Sequence, residues 1–271
     1  MRNRFFLPLA SRSRPALAPL AALVLALEFS LGLTANVPAA DFAMESRAFD
    51  GSHKKPFATN TTLFHEGLVY DFVNGSDEVT LLDKSRGRLV LMDKARQVKT
   101  ELTTDQILRY TQHIREWAAG KSDLLLQFYA NPNFDVVDDG DHQLKLTADL
   151  LTYQVVGSSP APEIVRQYRE FCDWYARLNS AVHPGSQLPF PRLLLNNHLA
   201  RRQLVPTQVQ LTLAPQQRFG GKPVRWRTEH TLRAELSSED LQRIDQAGGL
   251  LVTLKPIPLT EYRQAPRTAR R

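Results

Sequence analysis

The stretch that decides the fold is residues 79–96, which read VTLLDKSRGRLVLMDKAR. The tetrapeptide Asp83-Lys84-Ser85-Arg86 returns ten residues later as Asp93-Lys94-Ala95-Arg96, and each copy follows a short apolar run. Apolar runs of strand length that end in polar turn residues are typical of antiparallel hairpins. The repeat therefore predicts two successive turns of a meander. The residues expected on one buried face of this meander are Val79, Leu81, Leu89, Leu91 and Val98.

The sequence on both sides extends this pattern. Residues 61–73 and 97–102 alternate apolar and polar side chains, which is typical of half-buried strands, and Asn74-Gly75 suits the turn after the first strand. The period changes at Thr103, because Thr103 and Gln106 fit a capping box and the following apolar residues recur at helical spacing. A sheet with an exposed apolar face needs such a helix to cover it.

The second half of the chain predicts more of the same elements. The expected strands lie within residues 134–156, 209–213, 224–236 and 250–254, and the expected helices are residues 162–178, residues 193–204 and a short helix that follows Ser237 and ends at Gly248-Gly249. Runs of strands interrupted by a few helices are typical of an α+β fold. We therefore expect one large antiparallel sheet with helices covering one face.

The N-terminus carries the features of a cleavable export signal. A region rich in arginine precedes an unbroken apolar stretch at residues 20–27, and Val37-Pro38-Ala39 offers small side chains to a signal peptidase. The apolar stretch is far shorter than the roughly 20 residues that cross a hydrocarbon core. We therefore expect residues 1–39 to be a signal peptide rather than a permanent anchor. The mature chain is expected to have no transmembrane span and to be exported, either to the periplasm or as a secreted protein.

The rest of the chain divides by composition. Residues 40–60 show little apolar periodicity and are expected to be a disordered lead-in, residues 61–262 a single α+β domain, and residues 263–271 a basic disordered tail. Removing the four arginines and one glutamate of the signal lowers the formal charge from +6 to +3, and the four arginines of the tail leave about −1 for the body. Because nucleic-acid surfaces need clustered cations on the folded body, no nucleic-acid partner is expected.

The candidate reactive groups lack the partners that chemistry needs. Residues 138–142 hold the densest cluster of potential metal ligands, three aspartates and a histidine, but their spacing departs from a calcium loop and fits a solvated hairpin turn. Cys172, the single cysteine, has no local base to form its thiolate and fits a core position. His230 faces the apolar side of its strand, where it is either a satisfied core histidine or part of a cavity wall. We therefore expect no catalytic activity, no metal site and no cofactor.

The order of export signal, extended strand, meander with charged turns and capped helix resembles the periplasmic lipoprotein-carrier (LolA-like) superfamily, and exported bacterial proteins of unknown function that share its half-barrel design. The resemblance covers residues 61–117, chiefly residues 63–72, the turns at Asp83 and Asp93, and the helix at residues 103–117. It implies a large curved antiparallel sheet, a half-barrel, whose helices act as a lid over an apolar cavity that admits acyl chains. Relative to a minimal carrier, residues 160–205 are an insertion or a family-specific helical element.

The resemblance also suggests which side chains would line such a cavity. The candidates are Phe64, Tyr70, Phe72, Leu89, Leu91, Trp117, Trp226 and Leu232. The same residues would equally make a closed core. Two hypotheses follow: a periplasmic carrier or binder of a lipid or other hydrophobic ligand, and an exported structural or interaction protein of the cell envelope without a small-molecule ligand, which docks a partner through its sheet and basic tail.

Overall fold

The computed structural model describes residues 39–51, 53–138, 140, 142–215 and 221–264, all of which fall in one compact unit. The strands are β1 (Phe42–Asp50), β2 (Ala58–His65), β3 (Leu68–Val73), β4 (Glu78–Asp83), β5 (Arg88–Asp93), β6 (Val98–Thr103), β7 (Asp135–Asp138), β8 (Gln143–Thr147), β9 (Leu151–Ser158), β10 (Val205–Leu213), β11 (Val224–Arg233) and β12 (Lys255–Pro256). The helices are α1 (Thr104–Ala119), α2 (Leu124–Ala130), α3 (Pro162–Val182), α4 (Phe190–Arg201), α5 (Ser238–Thr253) and α6 (Leu259–Gln264).

The strands form one twelve-stranded sheet in the order β12-β6-β5-β4-β3-β2-β1-β11-β10-β9-β8-β7. Every neighbouring pair is antiparallel except β12 with β6, which is parallel. The sheet formed by the described strands is open, with β12 and β7 at its two edges. The prediction of an α+β fold built on a large antiparallel sheet is confirmed.

Strand β1 lies near the middle of the sheet, between β2 and β11. Ala43 pairs with Leu63 on one side and with Arg233 on the other, and both Phe42 and Ala43 are fully buried. The prediction of a disordered lead-in at residues 40–60 is therefore wrong. The charged residues of β1 pair with partners far along the chain, such as Arg47 with Glu229. Such pairing leaves no local periodic signal in the sequence.

The meander forms as the repeat predicts, but its register differs from the prediction. Leu81 pairs with Val90 and Leu82 pairs with Leu89, because a turn of four residues, 84–87, separates the paired ends of β4 and β5. Odd-numbered residues of β4 therefore share a face with even-numbered residues of β5. Val79 and Leu81 consequently lie on the opposite face from Leu89 and Leu91, and the prediction that they share a face is wrong.

Helices lie on both faces of the sheet, not on one. We call the face that contacts α1, α3 and α4 the inner face, and the face that contacts α5 the outer face. On the outer face, Ile244 and Ala247 of α5 pack with Tyr70 and Val90 of the meander. The meander needs a helix on each side because its strands carry apolar residues at nearly every position.

Helix α5 also corrects the expected end of the chain. It begins at the predicted cap, where the Ser237 hydroxyl accepts from the Asp240 backbone, but it continues through Gly248-Gly249 to Thr253. The predicted strand at residues 250–254 is therefore wrong. Each helical glycine costs about 1 kcal/mol relative to alanine, and the packing of Leu250 and Leu251 against the outer-face core offsets that cost.

The inner face is filled by side chains from α3. Phe64 stacks on Phe42 with ring centroids 3.9 Å apart, and Phe171 of α3 meets Phe64 edge to face at 5.8 Å. Helix α1 begins at the predicted capping box, formed by Thr103 and Gln106. None of the helices in the described ranges is long and apolar enough to cross a membrane. The expected signal peptide lies outside the described residues apart from Ala39, and of the expected tail Arg263 and Gln264 belong to α6 while residues 265–271 lie outside.

Candidate functional site

The eight side chains predicted to line a cavity are divided among several environments. On the inner face, Phe64, Leu89 and Leu91 are buried, and Leu232 packs beside them. Tyr70 and Phe72 are buried on the outer face. Trp226 packs with the core under α4, whereas Trp117 on α1 is 47% exposed. The four residues of the inner face near β2 belong to one core cluster with residues of α3. The eight residues therefore do not line one cavity, and four of them form part of a closed core with α3.

A cleft lies among the helices instead. It has a volume of about 550 Å³ and is bounded by α1, α3, α4 and the segment that follows α2. Its apolar wall consists of Leu108, Phe190, Leu193 and Leu194, and its charged side chains are Arg115 and Arg177. Asp and Glu are absent from the lining residues. Clefts of about 300–1,000 Å³ that combine an apolar wall with a few fixed polar groups are typical of small-molecule sites.

Arg115 is held on α1 at the edge of this cleft. Its Nε donates a hydrogen bond to the Ala130 backbone oxygen at 2.8 Å, and its guanidinium lies 4.6 Å from the ring centroid of Phe190. A cation over an aromatic face gains about 0.5–1 kcal/mol at an exposed site. Within the described ranges no carboxylate oxygen comes within 4.0 Å of Arg115. The charge is therefore oriented but not neutralised.

Arg177 supplies the second positive charge from α3. It donates to the Asp173 backbone oxygen at 2.9 Å, and its guanidinium lies 5.5 Å from the ring centroid of Trp174. Desolvation lowers the pKa of Arg177, and the Asp173 carboxylate partly opposes that effect. Among the residues that the structure describes, no carboxylate forms an ion pair with it within 4.0 Å. A partly desolvated cation attracts an anion more strongly than one in bulk water.

The remaining polar groups of the cleft support binding rather than catalysis. Thr111 is the only hydroxyl among the lining residues, and it donates to the Ile107 backbone oxygen at 2.7 Å. Gln112 donates to Glu116, and Asn197 accepts from Arg169. A catalytic hydroxyl needs a base in hydrogen-bond reach, and Thr111 is engaged with its own helix. The arrangement can hold an anionic group beside an apolar one.

Sequence reasoning missed both arginines. Arg115 and Arg177 lie on different helices, 62 positions apart, and each occurs in an ordinary amphipathic pattern. Helix α1 contacts α3, and α3 contacts α4, so the tertiary packing brings the two charges to one cleft. The one available signal was that the positions three and four residues after Arg115, Ala118 and Ala119, are not acidic.

The inner face carries a row of polar side chains, of which the sequence singled out only His230. Asp71 accepts hydrogen bonds from Thr62 at 2.7 Å and from Asn60 at 3.1 Å, and burial raises the pKa of its carboxyl to about 6. Asn60 pairs with Ser46 of β1, which in turn pairs with His230 of β11. His230 bonds to Ser46 at 2.9 Å and to Thr228 at 3.1 Å. Desolvation, with a smaller contribution from Arg192, lowers the pKa of His230 to about 3. His230 is therefore neutral and satisfied within the fold.

The predicted acidic turn is only partly within the described chain. Asp138 pairs with Arg202 at 2.9 Å, and His142 contacts the Ser159 hydroxyl at 3.4 Å. Asp139 and Asp141 lie outside the described residues. A group of three or more His, Cys, Asp or Glu side chains arranged to hold a metal ion does not occur in the described ranges.

Comparisons with known proteins leave the geometry as the guide to function. No protein-family model matches the chain, and no curated protein sequence matches it either. The proposed function therefore rests on the geometry of the cleft among the helices.

Proposed function

We propose that the protein is an exported binder and carrier of an anionic amphiphile, a molecule with an acyl chain and a carboxylate or phosphate headgroup. The cleft bounded by α1, α3 and α4 would hold this ligand. The observation that carries the proposal is the composition of the cleft. Arg115 and Arg177 lie beside an apolar wall, and the lining of the cleft contains no acidic side chain.

Each part of the cleft contributes a different share of the affinity. Burial of an acyl methylene contributes ~0.8 kcal/mol, whichever headgroup the chain carries. A hydrogen bond between a guanidinium and an anionic oxygen contributes about 1.5–3 kcal/mol. The apolar wall therefore favours any amphiphile, and Arg115 and Arg177 select those with a negative headgroup. Phe190 serves both purposes, because it belongs to the wall and stacks against Arg115.

The proposal agrees with the exported, carrier-like design that the sequence suggests. We also propose that the signal peptide is cleaved, that the mature protein is in the periplasm or outside the cell, and that the sheet is curved as a half-barrel. The proposed carrier differs from a lipoprotein carrier in the position of the ligand. Because α3 fills the inner face around Phe64, the ligand is assigned to the cleft among the helices, whose lining contains no residue of a strand.

Titration with a fluorescent fatty acid tests the proposal. Wild-type protein should bind the probe, and the double substitution Arg115→Gln/Arg177→Gln should weaken binding at least about tenfold, which corresponds to 1.4 kcal/mol. Arg109→Gln is the matched control, because Arg109 is an exposed arginine on the same helix that does not line the cleft. Wild-type protein that never takes up the probe, or equal loss in the control, would contradict the proposal.

A second candidate function, an envelope interaction protein, is favoured by the free edge of the sheet. Val136 and Val137 of the edge strand β7 are 36% and 49% exposed, and β7 pairs only with β8 in the described chain. Exposed strand edges accept additional strands from partners. Native mass spectrometry of protein purified from the envelope separates the two functions, because a carrier retains acyl species and an interaction protein retains a polypeptide.

A further inference from the structure

Helix α4 separates the cleft from a second group of polar side chains. Leu193, Leu194 and Asn197 line the cleft, whereas Arg192 and Asn196 lie on the other side of the helix. The Arg192 guanidinium lies beside Cys172 and Tyr168 of α3, and its charge also acts on Tyr153 of β9 and His230 of β11. We call these five residues, Arg192, Tyr153, Tyr168, Cys172 and His230, the Arg192 centre.

The charge of Arg192 has no carboxylate of its own. Its Nε donates to the Asn196 Oδ1 atom at 3.0 Å, and within the described ranges no carboxylate oxygen comes within 4.0 Å of the guanidinium. Asp173 interacts electrostatically with Arg192, but its carboxylate already accepts from the Asn196 amide at 2.8 Å and pairs with Arg169 at 3.6 Å. A partly buried cation that lacks a counter-ion is costly, because desolvation disfavours the charged form.

The neighbours of Arg192 do not neutralise it. Burial raises the pKa of Tyr153 to about 12 and raises the pKa values of Tyr168 and Cys172, so all three side chains keep their protons near pH 7. His230, whose pKa is lowered to about 3, is also uncharged. The Arg192 centre therefore carries a net positive charge, and the tyrosine hydroxyls and the thiol beside it are neutral donors that can bond to oxygen atoms.

We propose that the Arg192 centre is a second anion site, separate from the cleft, that takes a single carboxylate or phosphate group. Arg192 would supply the charge and the paired N–H donors that match such a group, and the tyrosine hydroxyls would add neutral donors. Arg192, Cys172 and His230 are each only partly buried, so part of each residue is in contact with water. The site is independent of the amphiphile proposal, because it shares no lining residue with the cleft.

Cys172 provides a local readout, since it is the single cysteine of the chain and lies against Arg192. Its thiolate displaces iodide from either iodoacetate, an anion, or iodoacetamide, its neutral analogue. An anion site concentrates iodoacetate beside the sulfur. The rate of alkylation by iodoacetate divided by the rate with iodoacetamide should therefore exceed the same ratio for a neutral cysteine peptide by about threefold or more. The ratio cancels any effect of burial on the thiol itself, because both reagents attack the same thiolate.

Substitutions assign the effect to Arg192. Arg192→Met should return the rate ratio to that of the peptide, whereas Arg201→Gln, which changes an exposed arginine of the same helix, should retain it. A wild-type ratio equal to the peptide's, or an enhancement that persists in Arg192→Met, would overturn the proposal. Circular dichroism establishes that each variant is folded.

Competition identifies the ligand class and covers the case in which Arg192→Met does not fold. Inorganic phosphate or acetate, added to the wild-type protein at constant ionic strength, should slow alkylation by both reagents. Protection by phosphate alone assigns a phosphate site, protection by acetate alone assigns a carboxylate site, and protection by both assigns either group. Protection by neither would overturn the proposal whatever the variant shows.

Discussion

Phe171 of α3 meets Phe64 of β2 edge to face, with ring centroids 5.8 Å apart, so the helix fills the inner face of the sheet at that point. Both rings are at most 7% exposed. In a half-barrel carrier this is the space where an acyl chain would lie. The contact therefore places Phe64, one of the predicted cavity residues, in the core, and the cleft lies instead among α1, α3 and α4.

Phe171→Ala tests whether this contact is part of the core. Removing a buried phenylalanine side chain costs about 3–5 kcal/mol of unfolding free energy, and urea titration followed by circular dichroism measures it. Trp117→Ala is the control, because Trp117 is 47% exposed and surface substitutions usually change stability by under about 0.5 kcal/mol. Equal stability of the Phe171 variant and the wild type would mean that α3 does not seal the inner face.

Asp71→Asn tests the buried carboxyl of the polar row. Its pKa is about 6 in the folded protein and near 3.8 when unfolded, so the folded state binds the proton more tightly. The unfolding free energy of the wild type should therefore fall as the pH rises from about 4 to about 6 and stay level above, by at most about 3 kcal/mol. Asp71→Asn should remove this decrease.

Stability measured from pH 4 to pH 8 gives the comparison. Asp149→Asn, which changes an exposed aspartate, serves as the control and should keep the wild-type slope. A wild-type protein whose unfolding free energy rises across this pH interval relative to that of Asp71→Asn would contradict the account. Such a rise is expected of a carboxyl whose pKa is lowered by folding.

Gly248→Ala and Gly249→Ala test whether α5 continues to Thr253. A Cβ atom at either position meets no heavy atom within 4 Å, and neither glycine has a positive φ. In a helix each substitution should raise the unfolding free energy by up to about 1 kcal/mol. If these glycines instead formed a turn before a strand, both substitutions would lower it. Thermal denaturation of the two variants distinguishes the outcomes, and Gly67→Ala, at a φ of +77°, is a control expected to destabilise.

The sequence predicted the elements that are specified locally. The repeated turns at Asp83 and Asp93, the capping box at Thr103 and the helix start at Ser237 depend on residues within a few positions of one another, and the structure contains all four. The register across the first turn was wrong, because it depends on how many turn residues separate the paired ends.

Features that depend on distant partners were not predictable in this way. Strand β1 is stabilised by contacts such as that between Ser46 and His230, which are 184 positions apart. The cleft likewise requires Arg115 and Arg177 to meet through the packing of three helices. Neither the pairing of β1 nor the meeting of the two arginines leaves a periodic pattern in the sequence. The candidate site is therefore visible only in the tertiary structure.

The central claim is that the cleft selects amphiphiles by their negative charge. Isothermal titration calorimetry with decanoate and with decanol, two ligands of equal chain length, tests it at pH 7.5 in wild type and in Arg115→Gln/Arg177→Gln. The account predicts that the wild type prefers decanoate by about tenfold or more and that the double variant loses this preference while still binding decanol. Equal wild-type affinities for the two ligands, or a preference that survives the double substitution, would contradict it.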